Sequence, residues 1–118
     1  MSKKIKIECL LLCALATEGT VAQEEPITKN GSAGICAGYL FGLAGLHKTM
    51  GNEQKMIEIM SQVDRIRSEY EDSQYTDMFS FVSNQFGEAS KTNDLGTLGV
   101  LANYAAASCP LISVAIPK

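Results

Sequence analysis

Side chains able to do chemistry are few in this 118-residue chain: one histidine, His47, four cysteines, and an acidic cluster at Glu69, Glu71 and Asp72. A Cys–His nucleophile pair needs its side chains within hydrogen-bond reach. Cys36 and His47 stand eleven residues apart on a segment that reads as one helix, which separates them by about 16 Å. His47 reads instead as a polar residue near a helix C-terminus. A single histidine with no free thiol beside it excludes the usual zinc sets, and no D-x-D-x-D-G loop offers calcium a site. Glu69, Glu71 and Asp72 fall in a surface turn with nothing apolar to lift one carboxyl into the range of a general acid. Gly34-x-x-x-Gly38-x-x-x-Gly42 lacks the Lys-Ser/Thr ending of a phosphate loop and lies within a helix instead of before one. The residues therefore predict no enzyme, no cofactor and no metal.

What must be positioned is thus a surface, and the chain is organised around Ala33 to Met50. Four glycines in that stretch (34, 38, 42 and 45) would cost an isolated helix roughly 3–4 kcal/mol, so a helix there needs a neighbour packed hard on its bare face. Ser32 is expected to cap it after a polar arm, Gln23 to Ser32, and Gly51 to stop it. Asn52 opens a second helix, Glu53 to Tyr70, whose Met56, Ile59, Met60, Val63, Ile66 and Tyr70 form one stripe. The third is expected from Tyr75 to Phe86, burying Met78, Phe79, Val82 and Phe86, with Gly87 ending it and Gly87 to Asn93 as a loop. Thr92 or Asn93 would cap a fourth, Leu95 to Ser108, laid against the glycine row and ended by Pro110. Leu111 to Ile116 is expected to run extended. The stretch Leu95 to Pro117 carries no charge, which raises the question of a membrane span. Thr97, Asn103, Ser108, Pro110 and a mean hydropathy of +0.04 for the chain argue against one. The fold class is all-α, a four-helix disulfide-tied bundle.

The N-terminus reads as a secretory signal over residues 1–22: Lys3, Lys4 and Lys6, then the apolar Cys9 to Ala16, then small residues before a cut after Ala22, with Ala16 as the alternative. Residues 23–118 then form one helical domain. Losing Lys3, Lys4, Lys6, Glu8 and Glu18 from ten basic and thirteen acidic side chains leaves seven and eleven, a net charge of −4. That balance argues against nucleic acid and anionic membrane surfaces as partners. Cys9 and Cys13 leave with the signal. Cys36 and Cys109 remain as one pair in an oxidising compartment, closing a loop worth about 4–4.5 kcal/mol on the chain-entropy argument.

Cys36-Ala37-Gly38-Tyr39-Leu40-Phe41-Gly42, followed by a helix and closed by a distal cysteine, resembles the small periplasmic immunity proteins of type VI secretion, the Rap1a/Tai group. The chain departs from that pattern in lacking a Phe-Cys-x-Pro-like turn after the first helix, and its last cysteine sits in Ala-Ser-Cys-Pro. The resemblance implies a periplasmic, helical, disulfide-tied protein that neutralises a cell-wall amidase, and the acidic balance suits a basic one. Inhibition needs a rigidly held loop. Glu71, Asp72, Ser73 and Gln74, and Ser90, Lys91, Thr92 and Asn93, are the two expected partner-binding loops. A periplasmic chaperone or stress protein, a carrier of an apolar ligand, and a homodimer are the other readings the sequence leaves open.

Overall fold

The computed structural model describes residues 27–114. The signal reading, residues 23–26 of the polar arm and the end of the tail lie outside the described residues. Among the described residues four helices follow one another: α1 (Lys29–Thr49), α2 (Glu53–Tyr70), α3 (Ser73–Thr92) and α4 (Leu95–Ser108), with a 3-10 turn at Cys109–Ile112. The protein is an all-α, four-helix bundle tied by a Cys36–Cys109 disulfide.

α1 begins earlier than its sequence suggests. Thr28, not Ser32, is its cap: the Thr28 hydroxyl accepts from the Gly31 amide at 3.0 Å, satisfying a donor that the first turn leaves without a partner. Ser32 is buried within the helix. The helix ends where Gly51 takes a φ of +80°, a conformation that favours glycine. Asn52 occupies the cap position of α2 without making a side-chain cap; its Nδ2 instead lies 3.3 Å from His47 Nδ1 across the α1–α2 turn.

The glycine row faces α3 and not α4. A Cβ placed on Gly34 would strike the Tyr75 carbonyl oxygen, one on Gly38 would sit 3.0 Å from both the Phe79 carbonyl oxygen and Val82 Cβ, and one on Gly42 would enter the Phe86 ring. The reason lies in the partner. Val82, Phe86 and Phe79 are bulky and need a bare surface to approach, whereas the alanines of α4 bring their own small side chains. The ascending match of Gly34, Gly38 and Gly42 with Tyr75, Val82 and Phe86 makes α1 and α3 run the same way. α2 runs back along another flank of α1, and Asn30 Nδ2 donates to the Tyr70 carbonyl at 2.6 Å, fixing the end of α2 to the start of α1. α4 lies on α1 and α3 through Leu101, Ala105 and Cys109.

α3 continues through Gly87, which faces open solvent, and ends at Asn93 in the left-handed conformation (φ 59°). The expected Gly87–Asn93 loop is therefore mostly helix. Burying Phe86 and Ala89 on one face outweighs the cost of about 1 kcal/mol for one exposed glycine. Neither Thr92 nor Asn93 caps α4. Asp94 does, accepting from the Thr97 amide at 3.1 Å and the Thr97 hydroxyl at 2.8 Å, bonds that hold its carboxyl below the usual range. Leu111 and Ile112 belong to the 3-10 turn instead of an extended tail, and Ile112 is buried. Leu95–Ile112 is long and apolar enough to cross a membrane by length and composition, with a mean hydropathy of 1.4, and 28% of it is buried within the bundle.

Two outcomes follow from this packing. Gly38→Leu should destabilise the protein by roughly 1–3 kcal/mol or more through overpacking against Phe79 and Val82, while Gly87→Ala should stabilise it by up to about 1 kcal/mol; urea denaturation midpoints measure both. Two thiols should become alkylatable only after reduction, and the reduced protein should lose up to about 4 kcal/mol of stability.

Candidate functional site: an aromatic cleft between the second and third helices

α2 and α3 each pack along α1 and scarcely touch each other, although only Glu71 and Asp72 separate them in the chain. Each spends its apolar stripe on α1. Between them a cleft opens over Phe41, whose neighbours at i−3 and i+4, Gly38 and Gly45, contribute no side chain. Phe41 is 43% exposed. Near the Glu71 turn the cleft holds a slot of 310 Å³, walled by Met60, Val63 and Arg67 of α2 and by Tyr75, Thr76 and Phe79 of α3. A second hollow of 280 Å³ continues past Phe41 and Met60 to Met56 and Lys48.

The aromatic residues form a connected array. Phe41 and Phe79 have ring centroids 5.4 Å apart, and Tyr75 stacks on Phe79 at 5.8 Å. Tyr75 is 3% exposed and its hydroxyl is buried with no hydrogen-bond partner. Burial pushes its pKa up to about 12, with Arg67 opposing the shift and Glu71 and Asp64 adding to it. Arg67 is already engaged, its Nη2 lying 3.2 Å from Asp64 Oδ1. Among the described residues no cation lies within ion-pair distance of Glu71.

The two expected loops turn out to be helix ends. Glu71 is the exposed residue that closes α2, and it lines the slot. Asp72 caps α3, accepting from the Tyr75 amide at 2.9 Å. Ser73 is the first residue of α3. Gln74 Oε1 accepts from the Thr28 amide at 3.2 Å and the Thr28 hydroxyl at 2.8 Å, tying the start of α1 to α3. Ser90, Lys91 and Thr92 form the last turn of α3: the Ser90 hydroxyl is buried without a partner, Lys91 lies 3.8 Å from Glu88, and the Thr92 hydroxyl donates to the Glu88 carbonyl. Asn93 supplies the left-handed stop. A helix of this length holds the two sets about 25–30 Å apart, so they are not one surface. Of the eight residues, Glu71 alone lines the cleft.

The connected array of Phe41, Tyr75 and Phe79 is not evident in the sequence. The available signal was a bulky aromatic flanked on its own helix face by Gly38 and Gly45. The described residues contain no group of three or more His, Cys, Asp or Glu side chains placed to hold a metal. The cleft offers aromatic side chains with Arg67 and Glu71 beside them, which is chemistry for binding, while the Tyr75 hydroxyl is buried out of its reach.

Because the neutral Tyr75 hydroxyl is favoured in the folded state, its contribution to stability is complete below pH 10 and is lost as the pH rises toward 12. Tyr75→Phe should remove that part of the alkaline loss. It should also match or exceed the parent at neutral pH by up to about 1 kcal/mol, since it deletes an unsatisfied polar group; denaturation midpoints at pH 7 and pH 11 measure both effects.

No family model matches the chain, and neither the curated proteins nor the solved structures contain a match to it.

Proposed function

We propose that this chain is an exported, non-catalytic immunity or inhibitor protein that binds and blocks a cell-wall hydrolase, an amidase delivered by type VI secretion. The observation that carries the reading is the exposed aromatic cleft with Glu71, which makes no ion pair among the described residues, at its mouth, held between helices clamped at the turn that joins them. Asn30 and Thr28 clamp the turn end of α2 and α3, and the Cys36–Cys109 bridge holds α4 to α1. A surface fixed before binding loses little entropy on association, which is what a stoichiometric inhibitor requires. The acidic balance favours encounter with a basic enzyme. The resemblance of Cys36 to Gly42 supports the same partner class.

A fixed cleft favours this reading over a chaperone, which needs apolar surface that adapts to many clients. The open mouth at Phe41 favours it over a carrier, which encloses its ligand.

Co-expression with the product of the neighbouring gene should protect cells from periplasmic lysis at a one-to-one ratio. Glu71→Lys and Phe41→Ala should each weaken protection without lowering the melting temperature by more than a few degrees. Full protection by both variants would place the binding face elsewhere, and suppression of aggregation of unrelated proteins at low pH in place of protection would favour the chaperone.

A further inference from the structure

α4 leaves one face unused, and that face carries no charge. Of the eight large hydrophobic side chains exposed among the described residues, four lie on α4 and the turn that follows it: Leu95 (74% exposed), Val100 (47%), Tyr104 (42%) and Leu111 (59%). Gly96, Gly99, Asn103 and Ala107 succeed one another at three- and four-residue spacing and are all exposed. They form a low ridge along the helix, with Val100 and Tyr104 on one side of it and Leu95 on the other. Packing inside the chain does not explain the ridge. A Cβ on Gly34, Gly38 or Gly42 would collide with α3, whereas one on Gly99 would meet nothing within 4 Å. Leu101 and Ala105, on the opposite face of α4, are the residues buried against the bundle.

We infer that this face pairs with the same face of a second copy of the chain, two α4 helices crossing on a twofold axis near Asn103. Charge selects the occupant. The chain has a net charge of −3, and none of its charged residues falls between Leu95 and Pro117. Two copies therefore repel each other wherever their acidic faces meet, and α4 is the helix on which they approach without that cost. A basic foreign protein would be drawn to the acidic side chains of α2 and α3 instead. An interfacial membrane helix anchors through bulky apolar residues beside Lys and Arg, and this ridge offers glycine, alanine and asparagine with no basic side chain. Two such ridges let helix axes approach to about 8 Å, the near end of the range for packed helices. At the crossing the two Asn103 amides face each other, each with N–H donors and a carbonyl acceptor, so the pair satisfies itself as a twofold contact requires. A single polar residue in an apolar helix contact also sets its register. The face exposes about 500 Å² on each copy, so a pair buries on the order of 1,000 Å², where specific interfaces begin, and the dimer is weak and reversible. α4 is fixed beforehand by its Asp94 cap and by the Cys36–Cys109 bridge, so little order is lost in pairing. The cleft over Phe41 takes no residue from α4, so the pairing does not depend on the inhibitor reading.

Sedimentation velocity of the disulfide-bonded protein, from micromolar to millimolar concentration, should show a monomer passing reversibly to a dimer. Asn103→Glu, which sets two like charges against each other at the axis, should raise the dissociation constant about tenfold or more. Gly99→Leu should raise it as much while the melting temperature holds or rises, because leucine favours the helix and meets nothing within the chain. That variant separates a close-packed twofold contact from a sticky patch, which an added leucine would strengthen. Added salt should leave the dimer as tight or tighten it, since no ion pair holds it and the repulsion between acidic copies is screened. A protein that stays monomeric at millimolar concentration, or a dimer tightened by Gly99→Leu or loosened by salt, would overturn the proposal. So would a dimer lost in Phe41→Ala but kept in Asn103→Glu, by placing the contact in the cleft. Monomeric protein that co-sediments with vesicles of phosphatidylcholine and phosphatidylglycerol would overturn it in favour of a membrane surface.

Discussion

How closely α3 can lie on α1 is the constraint from which the rest of the structure follows. Gly34, Gly38 and Gly42 remove side chains along a single row, so the Tyr75 and Phe79 carbonyls and the Val82 and Phe86 side chains come to rest against α1 backbone. A helix face without side chains lets its neighbour gain dispersion contacts with the backbone that a leucine interface, held further apart, would not. The same row carries a penalty in helix propensity, and the penalty is offset only while α3 stays in place. That makes α1 a poor helix alone and a rigid one in the bundle.

The close approach on one side decides what happens on the others. α4 takes the next flank of α1, where Cys36 reaches Cys109 and the small Ala33 and Ala37 meet Ala105. α2 takes the remaining flank, burying Ile59, Val63 and Ile66. α2 and α3 each pack on α1 and scarcely touch each other. The cleft above Phe41 is the gap they leave, and the aromatic residues that line it are those the three-way packing does not fully cover.

Much of this was legible in the sequence. The stripe from Met56 to Tyr70 and the uncharged run after Asp94 placed α2 and α4 at the bounds the structure has, because both carry strong local signals. The single pair Cys36 and Cys109 followed from cysteine usage. The start of α1 was misplaced since Thr28 and Ser32 are both able caps, and only the contact of Thr28 with Gln74, far away in sequence, decides between them. Gly87 reads locally as a stop, and tertiary burial of Phe86 and Ala89 overrides it. The cleft was the least legible feature. Phe41 looks like one more bulky residue on a buried helix until the separation of α2 and α3 is known, and that separation is fixed by no short stretch of residues.

The polar residues of the turns show why a surface reading of them misleads. Asp72 is consumed by the Tyr75 amide, Gln74 by Thr28, Asp94 by Thr97, and Asn93 by the backbone geometry of a helix stop. Short connections leave helix ends whose amides and carbonyls must find partners, and the nearest side chains are taken for that purpose. A residue remains available to a partner only where the fold makes no use of it. In the Glu71–Gln74 turn Glu71 is such a residue, and within the cleft Phe41 is another. The two line the same slot, so these two unused side chains come together at one place instead of being scattered over the surface.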